Sequence, residues 1–138
     1  MGFLPELSDS AIDTIVAQVA KAPSPVWLSF LEHFHGAVCR VSREETAFPH
    51  REVGYNVETG ATWQDPAAAP AAIAWVRGYA EALQPFSSGR VYVNRLGDEG
   101  EDRVKAAYGT NYERLVTLKN KYDPTNFFRL NQNIKPTI

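Results

Sequence analysis

Three histidines, one polar strand face and an amide-rich tail hold most of the side chains in this sequence that could do chemistry. His33 and His35 stand two apart in a stretch of period-two pattern, so both would point to one side of a strand, where two imidazoles could meet one metal ion. The carboxylates near them in sequence are Glu32, Glu44, Glu45 and Glu52. Glu32 falls on the opposite strand face and His50 lies beyond a polar loop, so the further ligands are lacking and no metal site is expected. Asn56, Glu58 and Gly60 alternate along a second strand and form a polar face with a gap at the glycine. A ligand could approach the backbone at such a gap, but a solvated sheet face has the same pattern. The tail Arg129-Leu130-Asn131-Gln132-Asn133 is rich in amides, which both donate and accept hydrogen bonds. It suits either a buried turn or the edge of a heteroaromatic ligand. Cys39, in the apolar run Ala37-Val38-Cys39, reads as a small buried hydrophobe. No phosphate-binding loop, nucleophile elbow or catalytic Cys/His spacing is present.

The elements that must position these residues can be read from periodicity and punctuation. Ser8 is a helix N-cap, with Leu7 and Ile12 placed as a hydrophobic staple and Ile12, Ile15, Val16 and Val19 as the apolar stripe. Prolines 23 and 25 end that helix near Lys21. Residues 26–34 alternate as a strand, and residues 37–41 continue or restart it after Gly36. Residues 54–63 form the second clear strand, with Tyr55, Val57, Thr59, Ala61 and Trp63 on its core face. A helix follows with Pro66 or Pro70 in its first turn, Ile73, Val76 and Ala80 inward and Trp75, Tyr79 and Leu83 widening the apolar side. Residues 90–94 read as a short strand. A helix over 98–107 has Asp98 as its N-cap, Val104 and Ala107 inward and Gly109 as its C-terminal stop. Thr110 and Glu113 form a capping box for a last helix, with Leu115, Leu118 and Tyr122 inward and Asp123-Pro124 as its end. About four strands and four helices in this order predict an α+β fold, an antiparallel sheet with helices packed mainly on one face.

At 138 residues the chain is expected to be one domain, 1–138, with a real core. Hydrophobic residues make up 44% and charged residues 22%, and the net charge of −2 is interspersed, so nucleic acid is not an expected partner. A lone cysteine excludes an intrachain disulfide. No apolar run approaches the roughly 20 residues of a membrane span, and the N-terminus lacks a signal-peptide pattern, so the expected location is cytoplasmic and off the membrane.

Taken in order, the motifs resemble the C-terminal, substrate-side part of the berberine-bridge-type, FAD-linked oxidases. His35-Gly36-Ala37 is similar to the family's Gly-Gly-Ala turn, and the segment from Thr46 through Pro49-His50-Arg51 to its Pro-His-Arg loop. Residues 55–63 resemble the strand above the flavin, Trp63-Gln64-Asp65-Pro66 the turn after it, and Tyr92-Val93-Asn94 a Tyr-x-Asn strand. Tyr108-Gly109, Tyr112, Arg114-Leu115, Lys119, Tyr122-Asp123-Pro124, Asn126, Phe128-Arg129 and Asn131-Gln132-Asn133-Ile134 resemble the C-terminal signature. The resemblance implies a small-molecule alcohol, sugar or amine-type carbon oxidised by hydride transfer to FAD. It implies Asn56, Glu58 and Arg95 as substrate-facing positions and Tyr92, Asn94, Asn131 and Gln132 as approaching the isoalloxazine. Asn56 stands where some members place a Glu base, and Arg95 where others place Tyr or His; His35 replaces a Gly. The family's FAD-binding domain precedes this region, so the resemblance implies a FAD-binding domain or subunit as partner, or a homodimer covering the exposed face.

Overall fold

The computed structural model describes residues 2–23, 27–97 and 99–138. The fold is α+β, as expected. Its elements divide into two compact units, one of residues 1–35 and 52–89, the other of residues 36–51 and 90–138, so the chain passes from one to the other after His35, Arg51 and Gly89.

The first unit is built on a three-stranded antiparallel sheet, β1 (Gly2–Leu4), β2 (Trp27–Phe34) and β3 (Gly54–Ala61), in the order β1-β3-β2. β1 is too short to show a period, and the sequence did not reveal it. It pairs Phe3 with Asn56, while the backbone and hydroxyl of Ser88 both donate to Phe3 O, at 2.8 and 2.9 Å. On β2, Glu32 pairs with Asn56 and His33 with Tyr55. Helix α1 (Asp9–Val19) starts as predicted, the Ser8 hydroxyl accepting from Ala11 N at 3.3 Å and Asp9 sitting at the positive end of the helix dipole. Its core face is Ala11, fully buried, with Leu7, Ile15 and Val19 packed around. Ile12 and Val16, expected in that stripe, are 42% and 62% exposed. The small Ala11 lets the helix come close, and the Trp75 indole N–H reaches Gln18 O at 2.8 Å.

After a 3₁₀ turn (Pro66–Ala68) capped by Asp65, helix α3 (Ala69–Leu83) buries Ala72, Trp75, Tyr79 and Leu83, not Ile73, which is 40% exposed. Leu4, Ala11, Val57, Trp75, Tyr79 and Leu83 form the core, and the Tyr79 hydroxyl and Ser29 Oγ are 2.9 Å apart inside it. β3 divides its faces differently from the expectation. Val57 is fully buried on one face, but Asn56 and Glu58 on the polar face are buried as well, at 2% and 7% exposure, and Trp63 lies past the strand end, 43% exposed.

In the second unit two expected strand pieces are not strands. Gly36 at φ +67° turns the chain away from β2, and residues 37–40 coil into α2 (Ala37–Arg40). Residues 93–95 form a 3₁₀ turn (Val93–Arg95), with Arg95 N donating to Tyr92 O at 2.9 Å. Two alternating valines without a partner strand do not make a ladder. Helix α4 (Glu101–Tyr108) buries Val104 and Ala107 and stops at Gly109 (φ +50°), as predicted; the expected Asp98 cap, like Val26 of the expected first strand, lies outside the described residues.

The Thr110–Glu113 capping box is not formed. Asn111 holds the N-cap position of α5 (Tyr112–Tyr122), and its amide is drawn to Arg43 O and Thr46 O, at 2.6 and 3.0 Å. Arg114 donates to Glu44 O at 2.8 Å, so the polar loop over 42–47 is pinned to the start of this helix. In α5 the buried residue is Val116; Leu118 and Tyr122, expected inward, are 41% and 71% exposed.

Candidate functional site

Within the second unit, an open groove of about 560 Å³ is lined by Val93, Asn94, Leu96, Tyr108, Leu130, Asn131 and Gln132. Three of the four residues expected to meet a flavin, Asn94, Asn131 and Gln132, therefore line one groove although an entire helix pair separates them in sequence. The fourth, Tyr92, lines an adjoining recess of about 260 Å³ with Phe48, Pro49 and Asn94, and accepts the Asn94 amide N–H on its hydroxyl at 2.9 Å. Tyr92 and Phe48 meet edge to face, centroids 5.6 Å apart.

The local backbone explains how the groove is held. Asn131 takes a left-handed conformation, φ +59°, which an Asn tolerates better than most residues. Its side-chain amide makes no hydrogen bond among the described residues. Gln132 spends its amide hydrogens on Leu96 O and Gly97 O, at 2.7 and 3.2 Å, which ties the tail to the 3₁₀ turn and leaves its carbonyl oxygen as an acceptor. Burial pushes the Tyr108 phenol above its ordinary value, so it stays a neutral O–H donor. His50, buried, donates Nε2–H to Val91 O at 2.8 Å, which ties the loop before it to the segment that leads into Tyr92; its loss of hydration holds the imidazole below its ordinary pKa. This set of amides, a phenol and an apolar recess fits a planar heteroaromatic ring with a hydrogen-bonding edge, as the isoalloxazine of FAD is.

The substrate-facing candidates divide between the units. Asn56 and Glu58 belong to the first, where they are in contact: the Asn56 amide donates to Glu58 Oε1 and to Glu32 Oε2, each at 2.8 Å. Arg95 belongs to the second, exposed on the 3₁₀ turn next to Asn94. Glu32 was missed as a member of this cluster. Its signal is the strand register, which sets it opposite Asn56. Tyr108 was missed as a groove wall, because on its own helix it reads only as the residue before a stop.

His33 and His35 do share a side, their ring centroids 4.4 Å apart, and His33 stacks on Tyr55 at 4.6 Å. Among the described residues no group of three or more His, Cys, Asp or Glu side chains stands together to hold a metal ion, and no helix is long and apolar enough to cross a membrane.

Comparison with known proteins adds the following. Residues 91–135 match the family described as berberine and berberine like. The chain is similar to two uncharacterised FAD-linked oxidoreductases of Bacillus subtilis: 36% identical to YvdP over 78% of this chain and 24% of the relative, and 33% identical to YgaK over 94% and 29%. Its backbone superposes on berberine bridge enzyme from Eschscholzia californica with a TM-score of 0.82 and 25% identity, covering 98% of this chain and 32% of that one. The chain thus spans between about a quarter and a third of the length of these relatives. Relatives similar over nearly the whole chain, a shared backbone and a matched C-terminal signature agree, and in the region it spans the chain belongs to the berberine bridge enzyme-like family of FAD-linked oxidoreductases.

Proposed function

We propose that this chain is the substrate-side portion of a FAD-dependent oxidoreductase of the berberine bridge type. The observation that carries the reading is the convergence of Asn94, Asn131 and Gln132 on one groove in a chain whose relatives are FAD-linked. When bound, the flavin supplies a hydride acceptor for an alcohol, sugar or amine-type carbon of a small-molecule substrate. Tyr92, Asn94, Asn131 and Gln132 hold and orient its heteroaromatic edge. Asn56, Glu58 and Arg95 face the substrate. Asn56 cannot take a proton; Glu58, fixed by the Asn56 amide, can. Arg95 stays protonated and can anchor a substrate oxygen.

These residues offer one wall of a flavin site, so a FAD-binding domain or subunit holds most of the cofactor. The isolated chain titrated with FAD and then gel-filtered should therefore emerge without stoichiometric yellow absorbance; tight retention would show that no partner is needed. In the assembled holoenzyme, Glu58→Gln should slow flavin reduction by substrate about 100-fold or more with FAD content unchanged. An unchanged reduction rate removes Glu58 from the chemistry.

A second reading has its own support. Leu118, Tyr122, Phe127, Phe128 and Leu130 are 41–85% exposed, and Asn56 replaces an acid/base side chain. A non-catalytic stand-alone domain that binds a small ligand, or itself through this apolar surface, would carry both features. Sedimentation velocity tests its self-association: a clean monomer counts against it.

A further inference from the structure

Glu32 has no part in the chemistry proposed above, yet it shares a hydrogen-bond donor with Glu58, the side chain that takes the proton there. β2 and β3 are antiparallel, with Glu32 directly opposite Asn56 and Phe30 opposite Glu58, so these four stand on one face of the sheet. Phe3 of β1 pairs with Asn56 from the other side. Helices α1 and α3 pack on the opposite face, around Val57. Asn56 and Glu58 are buried, and Glu32 is exposed. The Asn56 amide nitrogen lies 2.8 Å from Glu32 Oε2 and 2.8 Å from Glu58 Oε1, so each of its two N–H bonds serves one carboxylate.

Two carboxylates fix the amide more firmly than one. The terminal torsion of an Asn is broad and two-fold, so the side chain itself sets neither its plane nor which end faces Glu58. With Glu58 as its one partner, the amide would be free to swing toward water. With Glu32 on the second N–H, any rotation that releases Glu58 releases Glu32 too, and a half-turn sets Oδ1, an acceptor, against two acceptors. Glu32 thus holds Asn56, and Asn56 holds Glu58. A general base must stay within hydrogen-bond reach of the proton it takes, and a small misplacement is costly in rate.

We infer that Glu32 is a positioning residue for proton removal: it locks the Asn56 amide, and that amide aims the Glu58 carboxylate. The inference rests on the proposed role of Glu58 as base. It also gives Asn56 a function of its own, as the connector between two carboxylates.

The test has two arms. In the chain labelled with nitrogen-15, both side-chain amide protons of Asn56 should be shifted downfield and slow to exchange. Glu32→Ala should return one of them to the ordinary position, whereas Glu32→Gln, whose Oε1 still accepts, should keep both. In the assembled holoenzyme, Glu32→Ala should slow flavin reduction about 10-fold or more, with FAD content kept and the substrate Kd within about 2-fold of wild type. Glu32→Gln should restore most of the rate, and Glu32→Ala should add nothing once Glu58→Gln is present. Circular dichroism checks the fold of each variant. Asn56 amide signals unmoved by Glu32→Ala, a Glu32→Gln enzyme as slow as Glu32→Ala, or a slow Glu58→Gln enzyme beside an unimpaired Glu32→Ala enzyme would each overturn the inference. Failure of the reading beneath it looks different: a Glu58→Gln rate equal to wild type, which would overturn both.

Discussion

Asp123 does more than stop a helix. Its carboxylate accepts from Phe127 N at 2.7 Å and Phe128 N at 3.1 Å, and Lys119, one turn back on α5, donates to the same group. The Lys119 hydrogen bond, helped by those two backbone donors, holds the Asp123 carboxyl below its ordinary value. A depressed carboxylate pKa stabilises the folded chain above its unfolded value of about 3.9, and the contribution is lost as pH falls through the lower folded value. Asp123→Asn should therefore lower Tm at pH 7 and lose that difference in acid below about pH 4. A pH-independent Tm difference would refute the charge-assisted turn. His50 works in the opposite chemical sense. Desolvation lowers its pKa, so the unfolded chain binds the proton more readily, and stability should rise with pH up to about 6.5 and then level. Wild-type Tm measured from pH 5 to 7, against a His50→Gln variant lacking that slope, checks it. Of these two, the sequence offered only a helix stop at Asp-Pro and a loop histidine. The partners that give them their roles are the Lys119 ammonium and backbone groups that the fold brings to them, which composition does not display.

At the level of elements, two glycines on β3 make a paired test. A Cβ at Gly54 would sit 2.7 Å from Leu4 O, inside the β1–β3 pairing, whereas a Cβ at Gly60 meets nothing within 4 Å. Gly54→Ala should cost roughly 1–3 kcal/mol in urea unfolding, and Gly60→Ala should stay within about 0.5 kcal/mol of wild type. Equal effects would mean that β1 does not hold its place. In the core, Tyr79→Phe removes the hydroxyl contact with Ser29 and should cost about 1 kcal/mol, while Leu4→Ala, at a residue 1% exposed, should cost about 2–5 kcal/mol. Helix ends and the two long strands were legible because caps, prolines and alternation are local signals. Which side of each helix turns inward was not: on α1 the small Ala11, and on α5 Val116, outcompete the larger Ile12 and Leu118, because close approach decides burial as much as side-chain size. The apparent strand at 90–94 failed for want of a partner, a non-local property.

For the molecule as a whole, the exposed aromatics Tyr122, Phe127 and Phe128 predict association of the isolated chain. Sedimentation at rising concentration should show self-association, and Phe127→Ser with Leu130→Ser should reduce it; a concentration-independent monomer would leave these side chains simply solvated. Asn94, Asn131 and Gln132, singled out in the sequence, line one groove and Tyr92 its adjoining recess, but the part of Tyr108 in its wall and the separate Asn56–Glu58–Glu32 cluster depend on how the chain winds. That winding has a practical result. Since residues 36–51 belong to the same unit as residues 90–138, a single cut after Gly89 gives two pieces, neither of which contains a whole unit beyond the first. The shorter piece keeps its grip on the longer through Asn111 on Arg43 and Thr46, Arg114 on Glu44, and His50 on Val91. The two pieces, expressed separately, should find each other and co-purify; pieces that stay apart would show that these contacts do not suffice without the covalent link at Gly89.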